Sequence, residues 1–282
     1  MKVRAGPLPG MARLLQTLGV NSVPAAGFFG QGWSLGTTLG LYWLETVLVI
    51  VLVSLRIVWH RRLTRKAGHW NIPYEVRTTV GGKTTVRTGN TTVLASFLGM
   101  MVPFTAAHGF FLGLLIFLAF PEFSGLSADV RLDDLARGTL AIAVFLGIGL
   151  TVDLVGLGER PFRWIERVVE RAQGRMIVTH LTIIFGLMAM GVWEAPWAFF
   201  AVFFGFKTLV DLGGLMPEPA PRLEPPRWLA WMDGLGSSRT GQTFSQHFRR
   251  SAEADLRKRE ANERVVEDRV FEALTRERSR DA

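Results

Sequence analysis

Six ionisable side chains interrupt the long apolar runs of this 282-residue chain. An ionised group in the hydrocarbon of a bilayer costs at least about 2.5 kcal/mol, so such groups face a bundle interior and mark candidate functional sites. Glu45 lies near the middle of the apolar run 36–57, and His108 lies midway along the run 93–119. The six candidate site residues are Glu45, His108, Asp153, His180, Lys207 and Asp211.

Three chemistries use these residue types. A carboxylate and an imidazole on different helices can bind a divalent metal, with Glu45 and His108 as the candidate ligands and His180 as a third candidate. The same groups can relay protons, because the pKa of histidine lies near about 6.5. Carboxylates opposite Lys207 can bind a polar or charged substrate. The sequence does not choose among these chemistries, and it assigns neither a catalytic residue nor a cofactor.

Each candidate also has a purely structural interpretation. Glu45 can join helices through hydrogen bonds, and His108 can fill a tight helix contact beside Gly109. Lys207 and Asp211 lie one helical turn apart and can neutralise each other. Three classes of function therefore stay open. The favoured class is a transport-like site for an ion, a proton or a small molecule, and the alternatives are an intramembrane metalloenzyme and a structural or assembly subunit.

The elements that must position these residues are membrane-spanning helices. An apolar helix of about 20 residues crosses a bilayer core of about 30 Å. The chain predicts an all-α bundle of about six spans within residues 1–215. Pro24 makes the first span either a kinked helix or a re-entrant segment. The predicted spans are 10–31, 36–57, 93–119, 136–157, 176–192 and 196–212.

The charges of the loops predict the orientation. Loops 56–92 and 158–175 are rich in Arg and Lys, whereas residues 120–135 carry four acids and one Arg. Basic loops stay on the cytoplasmic side, where they contact anionic lipid. Six spans then place both termini in the cytoplasm of a multi-pass protein of the cell membrane. The net charge of +8 is explained in this way, and no nucleic-acid partner is expected.

Two cytoplasmic loops have predicted structure of their own. Residues 74–89 alternate polar and apolar side chains around Gly81-Gly82, which predicts a β-hairpin with a two-residue turn. Residues 160–175 place apolar side chains on one side and arginines on the other. That pattern predicts an amphipathic helix lying on the membrane surface.

The C-terminal part of the chain has a different composition. Residues 216–228 are rich in proline and predict a stiff linker before a charged cytoplasmic tail, 229–282. Paired charges four residues apart predict one long helix over about 245–279, which a protein partner could bind. Gly36-xxx-Gly40 and Gly109-xxx-Gly113 predict close helix contacts, within one chain or in a homo-oligomer.

The motifs for well-known chemistries are absent. The chain contains no cysteine, which excludes disulfides, thiolate metal sites and cysteine nucleophiles. It also lacks a phosphate-binding Walker loop, a dinucleotide fingerprint, HExxH and GxSxG.

Several short motifs together resemble a known family. Asn21-Ser-Val-Pro24, Gly32-Trp33-Ser34 and Tyr42-Trp43-Leu44-Glu45 are similar to the opening of an uncharacterised prokaryotic multi-span membrane family, a domain of unknown function. Further similar stretches are Pro103-Phe104, His108-Gly109-Phe110-Phe111 and Lys207-Thr-Leu-Val-Asp211-Leu212.

The resemblance covers about residues 21–215. It implies a multi-span fold and draws attention to Glu45, His108, Lys207 and Asp211, but it implies no activity. The chain departs from the family pattern at Thr46, where Asn is frequent, and at Leu215, near the place of a further histidine.

Overall fold

A computed structural model describes residues 7–80, 83–114, 116, 129–193, 196–216, 224–226, 233 and 243–267. This part of the chain is mostly helical, with a single two-stranded sheet. The helices are α1 (Pro7–Gln31), α2 (Leu35–Thr64), α3 (Val93–Leu114), α4 (Leu132–Leu154), α5 (Phe162–Trp193), α6 (Pro196–Gly213) and α7 (Phe244–Glu263). The strands are β1 (Ile72–Val80) and β2 (Lys83–Thr91).

The chain divides into two compact units. The first comprises Met1–Leu63, Val93–Arg160 and Trp164–Met216, and the second comprises Thr64–Thr92, Pro161–Arg163 and Pro217–Ala282. The six candidate site residues all belong to the first unit.

Among the described residues, three helices are long and apolar enough to cross a membrane. They are α2, α3 and α4, and they correspond to the predicted spans 36–57, 93–119 and 136–157. The predicted end of the span 93–119 lies mostly outside the described residues. The predicted first span forms one continuous helix, α1, which passes through Pro24 without a break.

Helix α2 is central to the first unit because it packs on two sides. Leu39 and Tyr42 belong to an apolar cluster with Phe200 and Phe203 of α6. Leu41, on another face of α2, belongs to a second cluster that also contains residues of α1 and α4. Because α2 has packing neighbours on several faces, Glu45 near its middle is enclosed by protein. The residue is only 4% exposed.

A tight turn joins α1 to α2. Gly32 adopts a left-handed conformation, with φ of +66°, which a glycine adopts without steric cost. The amide of Trp33 donates to the carbonyl of Gly27 at 3.0 Å, and the Trp33 ring fills the space beside Gly27. The hydroxyl of Ser34 then accepts from the amide of Thr37 at 3.0 Å and caps the start of α2.

Helix α5 differs from the sequence prediction. The predicted surface helix 160–175 and the predicted span 176–192 form one helix of 32 residues, Phe162–Trp193. Ile165 and Ala172 are buried against protein, so this face does not lie on a membrane surface. Arg175 lies within this helix, and acidic side chains neutralise its charge within the first unit.

The second unit contains the predicted hairpin. β1 and β2 pair antiparallel from Ile72–Thr91 to Val80–Lys83, which confirms the hairpin, while its Gly81-Gly82 turn lies outside the described residues. Opposite Tyr74, Gly89 leaves room for the tyrosine ring.

The tail helix ends earlier than the sequence predicts. α7 stops at Glu263, and the amide of Ala67 donates to the carbonyl of Arg264 at 2.8 Å. Lys66 and Val265 then form an isolated β-bridge, which favours extended backbone over helix at this point. The Glu272–Arg276 pair and most of the linker 216–228 lie outside the described residues.

Candidate functional site

Four charged side chains from three helices form a closed network, which we call the central network. Glu45, Lys207 and Asp211 are buried, and the Arg175 side chain is 25% exposed. Glu45 of α2 accepts hydrogen bonds from Arg175 of α5 and from Lys207 of α6, the latter at 3.1 Å. Asp211 of α6 binds the same two cations, each at 3.1 Å. Because two carboxylates face two cations, the network carries no net charge, which makes its burial tolerable.

Asn21 of α1 completes this network. Its amide nitrogen donates to Asp211 at 2.9 Å, and its amide oxygen accepts from Lys207 at 2.9 Å. One amide side chain therefore binds both members of the Lys207–Asp211 pair and ties α1 to α6.

Beside the network lie two buried oxygen atoms that make no hydrogen bond within the described part of the chain. They are the hydroxyl of Tyr42 and the Oε2 atom of Glu45, and both residues line one small cavity of about 10 Å³. The Lys207 ammonium lies 5.4 Å from the centre of the Tyr42 ring. A cavity of this size accommodates about one water molecule.

A second group of charges surrounds Asp153 of α4. Its Oδ1 atom accepts from Arg13 at 3.0 Å and Arg160 at 3.4 Å, and its Oδ2 atom accepts from Arg56 at 2.9 Å. The Arg160 guanidinium also stacks on the Trp164 ring, 4.4 Å from its centre. Burial lowers the pKa of Arg160, and the nearby Asp153 opposes this shift.

Unlike the central network, the Asp153 group has an excess of positive charge. One carboxylate faces three arginines, and Arg171 of α5 lies close by. Within the described part of the chain, Arg171 forms no hydrogen bond or ion pair.

A cavity of about 360 Å³ connects the two groups of charges. Its charged lining consists of four arginines and two aspartates, and much of the rest is apolar. The charged residues are Arg13, Arg56, Arg171, Arg175, Asp153 and Asp211, and apolar ones include Val49, Leu52, Val53, Leu146, Val168 and Val210. The cavity is large enough for a small organic ligand.

The two intramembrane histidines form a separate pair. The Nδ1 atoms of His108 on α3 and His180 on α5 lie 2.5 Å apart. The Phe104 ring packs on His180, with the ring centres 4.5 Å apart. A second cavity of about 10 Å³ adjoins the pair and is also lined by Trp43 and Met176.

Comparison with known proteins identifies the family. A family of unknown function, DUF6498, matches residues 9–259. The chain belongs to this family. It matches no curated protein and no solved structure.

The DUF6498 match confirms the resemblance to a domain of unknown function and extends it. The sequence predicted similarity over about 21–215, whereas the matched region begins in α1 and includes most of α7. The charged tail helix is therefore part of the region that characterises DUF6498.

The structure separates the six candidate residues into three groups. Glu45, Lys207 and Asp211 share the central network, Asp153 lies among arginines, and His108 pairs with His180. The six candidate residues therefore do not form one site.

The predicted metal pair, Glu45 and His108, takes part in two different sets of contacts. Among the described residues, no three or more His, Asp or Glu side chains form a group that could hold a metal ion.

Sequence reasoning missed Arg175 and Asn21. Arg175 was counted as a basic loop residue because it lies at the predicted start of a span. Asn21 could have been identified from the sequence, because it is a polar residue inside an apolar segment and belongs to the Asn-x-x-Pro motif.

Proposed function

We propose that this DUF6498 protein is a multi-pass protein of the cell membrane with six spans and both termini in the cytoplasm. Three apolar helices support membrane insertion, and the shortest of the other three first-unit helices, α6, has 18 residues. At about 1.5 Å per residue that helix is about 27 Å long, close to the thickness of a bilayer core. The alternation of basic and acidic loops supports the orientation.

Within this protein, we propose that the 360 Å³ cavity binds an anionic small molecule that has an apolar part. The observation that carries the proposal is the excess of arginine over carboxylate around the cavity. Arg171 is only partly buried, but the cations around the cavity outnumber the carboxylates, so an anion that enters the cavity gains electrostatic energy there. Phosphate and carboxylate groups match the planar guanidinium through paired hydrogen bonds.

The apolar wall restricts the ligand further. Val49, Leu52 and Leu146 lie on the cavity lining together with the arginines. An alkyl or other apolar group gains free energy from leaving water for such a wall. The favoured ligand therefore combines one anionic head with an apolar portion, as lipid phosphates and fatty acids do. Binding such a ligand within a bundle suits transport or lipid handling.

The charge of the ligand provides the test. We expect the full chain in nanodiscs to bind an alkyl phosphate more tightly than the uncharged alcohol of the same chain length. Arg171→Gln should weaken phosphate binding at least about tenfold, because a hydrogen bond to a charged group contributes about 1.5–3 kcal/mol. Equilibrium binding of a fluorescent alkyl phosphate measures this.

Arg137→Gln is the matched control, because Arg137 is an exposed arginine of α4 that does not line the cavity. It removes the same charge and should leave binding unchanged. Equal affinity for the phosphate and the alcohol, or unchanged binding in Arg171→Gln, would contradict the proposal.

We propose two further contacts for the same protein. The basic loops would contact anionic lipid headgroups on the cytoplasmic side. Helix α7, with its many exposed charges, would bind a protein partner.

A further inference from the structure

The histidine pair places two metal-binding atoms face to face. His108 and His180 lie on different helices, yet their Nδ1 atoms are 2.5 Å apart. Neutral imidazole nitrogens at this distance share one proton. Both can direct lone pairs at one cation only once the two rings turn apart, because a metal–nitrogen bond is about 2.0 Å long. Imidazole is a common ligand for copper, zinc and iron.

A third donor of a different kind lines the same small cavity. Met176 precedes His180 by one helical turn, so the two side chains project from the same face of α5. Met176 is 7% exposed, and its thioether is a soft ligand. Two imidazoles and a thioether together favour copper among the first-row metals.

The surroundings determine the charge of the ion. Among the described residues lining this cavity, none is acidic, and the members other than the two histidines and Met176 are Trp43, Thr46, Phe104, Thr105 and Thr179. With neutral ligands only, a divalent ion would carry a larger uncompensated charge than a monovalent one. Burial therefore favours Cu(I) over Cu(II) or Zn²⁺.

A second observation points to a ligand at this place. Thr105 is 5% exposed and lines the cavity, and its hydroxyl makes no hydrogen bond within the described part of the chain. Buried hydroxyls are normally paired, so an unpaired one beside two facing histidines indicates space for an additional group.

The approach of α2 fixes the geometry of the cavity. The indole nitrogen of Trp43 donates to the carbonyl of Thr105 at 2.9 Å. Gly109 allows this contact, because a Cβ atom there would lie 2.5 Å from that nitrogen. The residues next to His108 are thereby held in a defined position.

We propose that His108, His180 and Met176 form a binding site for one soft monovalent metal ion, Cu(I). The site is separate from the arginine-lined cavity, so the proposal stands independently of the anionic ligand. It also differs from the metal ligands that the sequence predicted, because Met176 replaces Glu45.

The test is a Cu(I) titration of the full-length protein in detergent under reducing conditions, in competition with a chromogenic Cu(I) chelator. We expect about one Cu(I) per chain. His108→Gln and His180→Gln should each weaken binding at least about tenfold. Met176→Leu conserves volume and should weaken binding while the protein stays folded, which separates loss of a ligand from loss of the fold.

Two matched controls accompany these variants. His247 is exposed on α7, and Met100 on α3 is 42% exposed, so His247→Gln and Met100→Leu should leave binding unchanged. The proposal is overturned if no Cu(I) binds, if the His108 and His180 variants bind as the wild type does, or if Zn²⁺ displaces Cu(I) at equal concentration.

Discussion

The central network shows how this bundle buries three charged side chains together with the partly exposed Arg175. Glu45 and Asp211 each contact both Arg175 and Lys207, and the net charge is zero. Removing one member leaves an unpaired buried charge, which is far more costly than removing a balanced pair. The network is therefore expected to respond to substitution as a unit.

A double-mutant cycle at Glu45 and Lys207 tests this cooperation. Lys207→Gln should reduce the free energy of unfolding by about 3–5 kcal/mol, because it leaves two carboxylates with one cation. Glu45→Gln should also reduce the free energy of unfolding, because it leaves two cations with one carboxylate. The double variant keeps the balanced Arg175–Asp211 pair. Its loss of unfolding free energy should therefore be smaller, by about 1–3 kcal/mol, than the summed losses of the two single variants.

Denaturant unfolding in mixed micelles measures these differences. Glu253→Gln is the control, since the Glu253–Arg257 pair on α7 is well exposed and contributes at most about 1 kcal/mol. Additive losses at Glu45 and Lys207 would show that the two residues do not act together.

The sequence could identify several of these residues but not their partners. Glu45, Lys207 and Asp211 stand out because a charge in an apolar helix is costly. Arg175 does not stand out, because an arginine at the end of a span is explained equally well by the positive-inside rule. Whether His108 meets His180 or Glu45 depends on the rotation and depth of each helix, which hydropathy does not determine.

At the scale of elements, glycine decides how closely helices approach. Both Gly109 and Gly113 belong to one small-residue motif of α3. A Cβ atom at Gly109 would lie 2.5 Å from the Trp43 side chain, whereas one at Gly113 would meet no described atom within 4 Å. The motif therefore contains one glycine at a described helix contact and one at an open position.

Alanine substitution should separate the two glycines. Gly109→Ala should destabilise the protein by about 1–3 kcal/mol, because Trp43 must move in a packed interior. Gly113→Ala should be neutral or stabilise by up to about 1 kcal/mol, since alanine favours helix more than glycine does. Thermal unfolding of both variants in detergent measures this, and equal effects would contradict the assigned contact.

Element boundaries were predictable where the pattern was strong. The apolar runs located α2 and α4 to within a few residues at most ends, and alternation located the hairpin. The end of α7 was not predictable in this way. Favourable charge pairs continue past Glu263, but the contacts of Arg264 and Val265 with Ala67 and Lys66 join positions almost 200 residues apart in the chain.

At the scale of the whole molecule, the proposed orientation makes a direct prediction. The chain has no cysteine, so single cysteines can be introduced without background labelling. In intact cells, a membrane-impermeant maleimide should label Val130→Cys, which lies between α3 and α4. Met11→Cys and Ser251→Cys should be labelled only after lysis, because six spans place both ends inside.

The labelling pattern also distinguishes the alternatives. Labelling of Met11→Cys in intact cells would show that α1 does not cross the membrane. Labelling of Ser251→Cys together with protection of Val130→Cys would reverse the orientation.

We have proposed that the arginine-lined cavity binds an anionic ligand with an apolar part. Photoaffinity labelling with an alkyl phosphate that carries a diazirine in its chain tests where such a ligand binds. We expect cross-links to Val49, Leu52 or Val168. Excess unlabelled alkyl phosphate and the Arg171→Gln substitution should each reduce the yield of these cross-links. Cross-links confined to exposed apolar positions such as Phe110 and Leu140, and insensitive to competitor, would contradict it.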